Sequence, residues 1–152
     1  MPVRPATVAD LAAMLAIERA LPTAAHWPEG EYRRVFDEDP DRPRLVLVAE
    51  EDAEIVGFVV ARAAAGEWEL ENVAVAASAQ RRGFGSLLVQ ALLYRLSALG
   101  AAAVFLEVRE SNHAARRLYE RHEFLVNGRR RAYYQDPPED AVLYRLSFPQ
   151  VE

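Results

Sequence analysis

Two hydrophobic rhythms run along the chain, and the changes between them predict its elements. Val3-Arg4 is short enough for one strand only. Thr7 then precedes a run with Leu11, Met14, Leu15 and Ile17 on roughly one face, which predicts a capped helix. Pro22 to Pro28 breaks it. A shorter helix is expected over Glu29 to Phe36, and a loop over Pro40 to Pro43. The rhythm then shortens. Arg44 to Glu50 is rich in Leu and Val, Asp52 marks a turn, and Glu54 to Ala64 reads as the hairpin partner, with Gly57 at a bulge. Glu67 to Val75 alternates strictly: Trp68, Leu70, Asn72 and Ala74 share one parity, Glu69, Glu71, Val73 and Val75 the other. Short turns between these three strands predict an antiparallel meander.

The longer rhythm returns at Gly83 to Leu99, where Phe84, Leu87, Leu88, Ala91, Leu92 and Leu96 fall at helical spacing and Gly100 supplies the stop. Ala102 to Arg109 reads as a strand. Ser111 or Asn112 caps a helix ending near Arg121. Phe124 to Asn127 and Ala141 to Phe148 read as final strands, joined by a loop containing Gln135-Asp136-Pro137-Pro138. The order β-α-α-β-β-β-α-β-α-β-β predicts an α/β (α+β) fold: a mixed, mostly antiparallel sheet of about seven strands flanked by about four helices. At 152 residues, one domain over residues 1–152 is expected.

Composition removes several chemistries. With no cysteine there is no disulfide, no Cys-ligated zinc and no thiol nucleophile. All 18 basic residues are arginine, so a P-loop lysine or Schiff-base lysine is impossible. His26, His113 and His122 are scattered, and Asp136 and Asp140 sit in a Pro-rich loop without a ligand pattern, so no metal site is expected. The net charge of −5 argues against direct nucleic-acid binding. No apolar run approaches a membrane span, and Met1 to Pro5 offers no secretory h-region; a cytoplasmic protein is the expectation.

The stretch that carries chemistry is Asn72-Val73-Ala74-Val75, four residues, then Gln80-Arg81-Arg82-Gly83-Phe84-Gly85-Ser86. Two arginines and two glycines stand where a strand gives way to a helix. A helix start leaves backbone N–H groups unpaired beneath a positive dipole, and glycine admits close approach. That combination suits a diphosphate. It is neither a Walker loop, which needs lysine, nor a GxGxxG dinucleotide turn.

The Gln-Arg-Arg-Gly-x-Gly segment resembles motif A of the GCN5-related N-acetyltransferase (GNAT) superfamily. Leu106-Glu107-Val108-Arg109-Glu110-Ser111-Asn112 followed by Arg117-Leu118-Tyr119-Glu120 resembles its motif B region. With Trp27-Pro28, Arg130-Arg131, Tyr133-Tyr134 and Glu139-Asp140-Ala141, the chain is similar to the bacterial ribosomal-protein-alanine N-acetyltransferases within that superfamily. The resemblance implies acetyl-CoA as co-substrate, bound along Val73, Ala74 and Val75, by Arg81, Arg82, Gly83, Phe84, Gly85 and Ser86, and by Asn112. It also implies Glu107 as proton acceptor and Tyr119 as proton donor. The implied acceptor is a protein N-terminus, that of a ribosomal protein. The pattern departs at Glu123, where the family has glycine after the helix.

The residues themselves leave alternatives open. Glu107 interrupts an apolar strand with parity opposite to Val104; burial would raise its pKa, while a solvent-facing position would not. Glu69 and Glu71 are competing carboxylates. Together with Trp27, Tyr133 and Tyr134 they are assigned to the acceptor side, where His26 also lies. Tyr119 could be a packed aromatic, and Asn112 a plain N-cap. His113 and His122 read as exposed helix residues, and Arg129 to Arg131 as a solvated face. Because no cysteine can carry an acyl group, transfer is expected directly within a ternary complex, and the acidic charge favours a free protein over an RNA-bound one. The alternatives are a GNAT enzyme acting on a small amine (polyamine, amino acid or antibiotic) and a coenzyme-A-binding module without turnover.

Overall fold

The structure, a computed structural model, describes residues 3–21 and 27–149. His26 and most of the expected break lie outside them. A short strand β1 (Val3–Pro5) leads through a 3-10 turn at Val8–Asp10 into α1 (Leu11–Ala20). The turn is tied by Asp10, whose buried carboxylate accepts from the Thr7 backbone N–H at 2.8 Å and from both terminal nitrogens of Arg4 at 2.9 Å. Arg4 holds that carboxyl below the usual range. Next come α2 (Glu29–Arg34), β2 (Arg44–Glu51), β3 (Glu54–Ala64) and β4 (Glu67–Val75), then α3 (Phe84–Ala98), β5 (Ala103–Arg109), α4 (His113–Arg121), β6 (Leu125–Tyr134) and β7 (Glu139–Ser147).

One seven-stranded sheet results, in the order β1-β2-β3-β4-β5-β7-β6. The meander is antiparallel as its short turns require; Asp52-Ala53 and Ala65-Gly66 close the two hairpins with positive φ throughout. β4 and β5 alone run parallel, with α3 as the crossover.

Each face of the sheet carries its own apolar layer. Leu88, Leu92 and Leu96 of α3 pack on Leu47, Val59, Trp68 and Leu70, and the layer continues through Leu106, Val108 and Tyr144 to Tyr119 of α4. On the opposite face Met14 and Ile17 of α1 and Tyr32 and Val35 of α2 cover Val46, Val48, Phe58, Val60 and Ala74.

β4 serves both layers. Val60 pairs with Asn72 and Ala61 with Leu70, so Glu71 is an extra residue. Such a bulge reverses which face later side chains take. Trp68 and Leu70 therefore enter the α3 layer, while Ala74 enters the α1–α2 layer and buried Asn72 donates to the Tyr32 hydroxyl at 2.7 Å. The strict sequence alternation concealed this reversal. At Gly57 the extra residue is its neighbour Val56, since Ala49 pairs with Gly57 and Glu50 with Ile55.

The last hairpin departs most from expectation. β6 runs to Tyr134 and takes in Arg129–Arg131, with register breaks after Val126 and after Arg130. It is an edge strand, exposed at most positions, so it has no apolar alternation to read.

Candidate active site

The site forms where β4 and β5 part. Their parallel pairing is confined to Trp68 with Val104 and Glu69 with Phe105. Further on, Val73, Ala74 and Val75 pair with Val59, Phe58 and Gly57 on the β3 side, and their other edge has no β5 partner. That edge offers backbone N–H and C=O groups to an extended, amide-bearing arm.

At the end of β4 the chain turns through a 3-10 turn at Ala77–Ala79. Gln80 Nε2 donates to the Val75 carbonyl at 3.0 Å, which holds the loop to the strand it leaves. Arg81 has φ +62° and Gly83, the N-cap of α3, has φ +88°. The second value suits glycine; a side chain there would be strained. The α3 first turn, Phe84 to Ser86, then presents N–H groups with no intrahelical acceptor at the positive end of a 15-residue helix. An open strand edge beside this N-terminus fits the pantetheine arm and diphosphate of a coenzyme A.

The side chains expected there divide. Arg81 is exposed and makes no ion pair among the described residues. Arg82 is held by Glu51 at the end of β2, with Nη1 2.8 Å from Oε1, and lies 5.4 Å from the Phe84 ring centre. Ser86 Oγ is 2.7 Å from His122 Nε2. His122 is therefore half-buried rather than exposed, and burial lowers its pKa, with Arg121 adding to the effect. Nothing in the periodicity of α4 signals a partner on α3. His113 is exposed, as expected. Asn112 caps α4, its Oδ1 accepting from the Ala115 N–H at 3.2 Å.

The chemistry-bearing groups cluster around β5. Val104, Leu106 and Val108 join the α3–α4 layer, so Glu107 projects from the opposite face, 19% exposed. Arg130 of β6 pairs with it through Nε at 3.1 Å. The Tyr133 hydroxyl faces Glu107 too; the charge of that carboxylate, and hydrogen bonding to it, push the phenol pKa upward. Tyr134, under Arg109 at 4.4 Å, is pushed up to about 12 by burial and then by Glu107. Tyr119 is buried against Phe124 and Tyr144, and burial raises its pKa, so it holds its proton through the neutral range.

The two competing carboxylates differ. Glu71, the bulge residue, accepts two hydrogen bonds from Arg44, at 2.9 and 3.2 Å, in a largely buried pair. Glu69 makes no hydrogen bond or ion pair among the described residues, and burial raises its pKa, helped by the charges of Glu71 and Glu107. Trp27 is half-buried, its ring centre 5.1 Å from that of Tyr32 and 6.0 Å from the Arg44 guanidinium carbon. The fold thus brings Glu69, Glu71, Glu107, Tyr133 and Tyr134 to one region. Sequence reasoning missed the roles of Arg44, which opens β2, and of Arg130, read there as part of a solvated face, because neither arginine carries a local sign of its partner.

Comparison with known proteins gives a consistent picture. A model of the acetyltransferase (GNAT) family matches residues 11–124. A ribosomal protein bS18-alanine N-acetyltransferase of Haemophilus influenzae is 39% identical over 96 residues, 61% of this chain and 65% of that protein. Its counterpart from Escherichia coli is 37% identical over 98 residues, 63% of this chain and 66% of that protein. Both alignments span just under two thirds of the relatives' length. The crystal structure of the Escherichia coli ribosomal-protein-S18-alanine N-acetyltransferase superposes with a TM-score of 0.84 at 29% identity, covering 99% of this chain and 95% of that one.

Proposed function

The chain belongs to the GNAT acetyltransferase family, and from that premise we propose that it transfers an acetyl group from acetyl-CoA to the N-terminal α-amine of a protein. The names of its relatives point to the N-terminal alanine of a ribosomal protein as the acceptor. The observation that carries the reading is the meeting of three features: the unpaired β4 edge, the α3 N-terminus, and a carboxylate–tyrosine cluster on the neighbouring strands.

Acetyl-CoA supplies the activated acyl group as a thioester. The open backbone of Val73–Val75 binds its arm, and an N–H there polarises the carbonyl under attack. The α3 first turn and Arg81 take the diphosphate. Ser86, already bonded to His122, lends rigidity to that turn. Asn112 fixes the start of α4 and so the position of Tyr119.

Glu107 accepts the proton that the acceptor amine must lose. A peptide α-amine has a pKa near ~7.7–8.0, so a modest base suffices. Arg130 and Tyr133 hold the carboxylate in place. Tyr119, protonated at neutral pH, gives its hydroxyl proton to the departing sulfur. The chain has no cysteine to store an acyl group, which supports direct transfer within a ternary complex. Trp27, Glu69, Glu71, Tyr133 and Tyr134 line the acceptor side. Among the described residues no helix is long and apolar enough to cross a membrane; action on a free protein in the cytoplasm is part of the proposal.

The test is mass spectrometry of peptides and small amines after incubation with acetyl-CoA. A gain of one acetyl group on the α-amine of an alanine-initiated peptide is the expected result. Turnover of polyamines or amino acids without any peptide would overturn it.

A further inference from the structure

We propose that His122 is a positioning residue for the cofactor: its Nε2–H donates to Ser86 Oγ and so commits the Ser86 hydroxyl proton to the diphosphate at the start of α3. The inference deepens the acetyltransferase reading and rests on it.

The contact joins two helices that are distant in sequence. Ser86 is the third residue of α3, and its Oγ lies 2.7 Å from Nε2 of His122, the residue that follows α4. α4 lies close over this turn, since a Cβ on Gly85 would stand 3.5 Å from Leu118 Cδ2. The backbone of His122 has little freedom. Its N–H is bonded to the Tyr119 carbonyl at 3.0 Å, and the chain closes on that same carbonyl through the Phe124 N–H at 3.1 Å. In a helix every Cα–Cβ bond tilts toward the N-terminus. The Ser86 hydroxyl therefore leans toward the end of α3 where the first-turn N–H groups point.

Proton counting gives this contact a direction. A serine hydroxyl has one proton and two lone pairs, and a neutral imidazole has one N–H and one bare nitrogen. In one form Ser86 donates to a bare Nε2, its proton is used, and it shows only lone pairs to the helix start. In the other form the proton sits on Nε2, Ser86 accepts, and its own proton is left to donate. Diphosphate oxygens are negative and only accept, so they repel the first form and bond to the second. Burial lowers the His122 pKa, with Arg121 adding to the effect, so the ring without cofactor is neutral at neutral pH and both forms are open to it. An imidazolium, which a nearby diphosphate favours, also carries a proton on Nε2 and donates in the same sense. A clasp that only held α3 to α4 would be indifferent to the direction of the bond.

The test uses the full chain with 15N-labelled histidine and coenzyme A as the probe. The ring nitrogen shifts report which nitrogen carries the proton. With coenzyme A bound, His122 is expected to carry it on Nε2; a bare Nε2 in the complex overturns the proposal. Calorimetry supplies the second measurement. Ser86→Ala and His122→Leu are each expected to raise the coenzyme A Kd about fivefold. The double variant is expected to bind no more weakly than either alone, because the histidine acts through the hydroxyl. His122→Gln keeps an N–H donor and is expected to stay within about twofold of the parent. Single effects that multiply, a His122→Leu Kd equal to the parent's, or a Gln variant as weak as the Leu variant each overturn the proposal while leaving cofactor binding intact. If the parent protein does not bind coenzyme A, the acetyltransferase reading falls and the inference falls with it.

Discussion

Removing one hydroxyl from α2 tests how the acceptor side is built. Tyr32 is fully buried, and its hydroxyl accepts from Asn72 Nδ2 at 2.7 Å, immediately after the β4 bulge. Tyr32→Phe keeps the ring contacts, with Trp27 at 5.1 Å and edge-on with Phe58 at 6.1 Å, and removes the hydroxyl that accepts from Asn72. Asn72 is 6% exposed, so its N–H then lacks both partner and water. An unsatisfied buried donor costs about 1–3 kcal/mol. At roughly 2–4 °C per kcal/mol for a chain of this size, Tm should fall by about 5 °C. Thermal and urea unfolding followed by circular dichroism measure this. The companion Asn72→Leu should also destabilise, whereas the double variant should recover about 1 kcal/mol relative to the sum of the two. Strict additivity, or a Tyr32→Phe loss below about 0.5 kcal/mol, would refute the claim that this bond ties α2 to β4.

Other consequences can be measured independently. Glu107→Gln and Tyr119→Phe should each lower kcat by about 10²–10⁴-fold, while the acetyl-CoA Kd by calorimetry stays within about twofold; unchanged rates would show that the proton roles lie elsewhere. Glu123 ends α4 with φ +71°, its N–H bonded to the Glu120 carbonyl and that of Phe124 to the Tyr119 carbonyl. The same pair of bonds ends α3, where Gly100 holds the equivalent position at φ +79°. Glu123→Gly should therefore stabilise the fold by roughly 0.5–1 kcal/mol, relief of left-handed strain exceeding the added chain entropy, and an unchanged Tm would count against it. Glu69 has its pKa raised by burial and by the charges of Glu71 and Glu107. A carboxyl raised on folding adds stability below its unfolded value of about 4.3, and that stability is lost as pH climbs through the raised value. Glu69→Gln should thus be more stable than the parent at pH 7, with the gap closing below about pH 4; a gap that widens in acid would reverse the assignment.

What the sequence determined by itself is what a single element can express. The α3 apolar face, the β2–β3–β4 meander, the glycine demanded ahead of α3 and the mismatch at Glu123 follow from periodicity and backbone sterics, which act over a few neighbouring residues. So does the projection of Glu107 away from Val104. Tertiary structure decided the rest, because pairing between strands depends on register set by distant segments. The Glu71 bulge turns β4 over without disturbing its apolar–polar alternation, and so moves Ala74 and Asn72 to the other layer. Arg44 on Glu71, Arg130 on Glu107, Arg82 on Glu51 and Ser86 on His122 each join residues at least 23 positions apart. A charged or hydroxylated side chain looks alike in sequence whatever it meets, so only the folded sheet selects its partner.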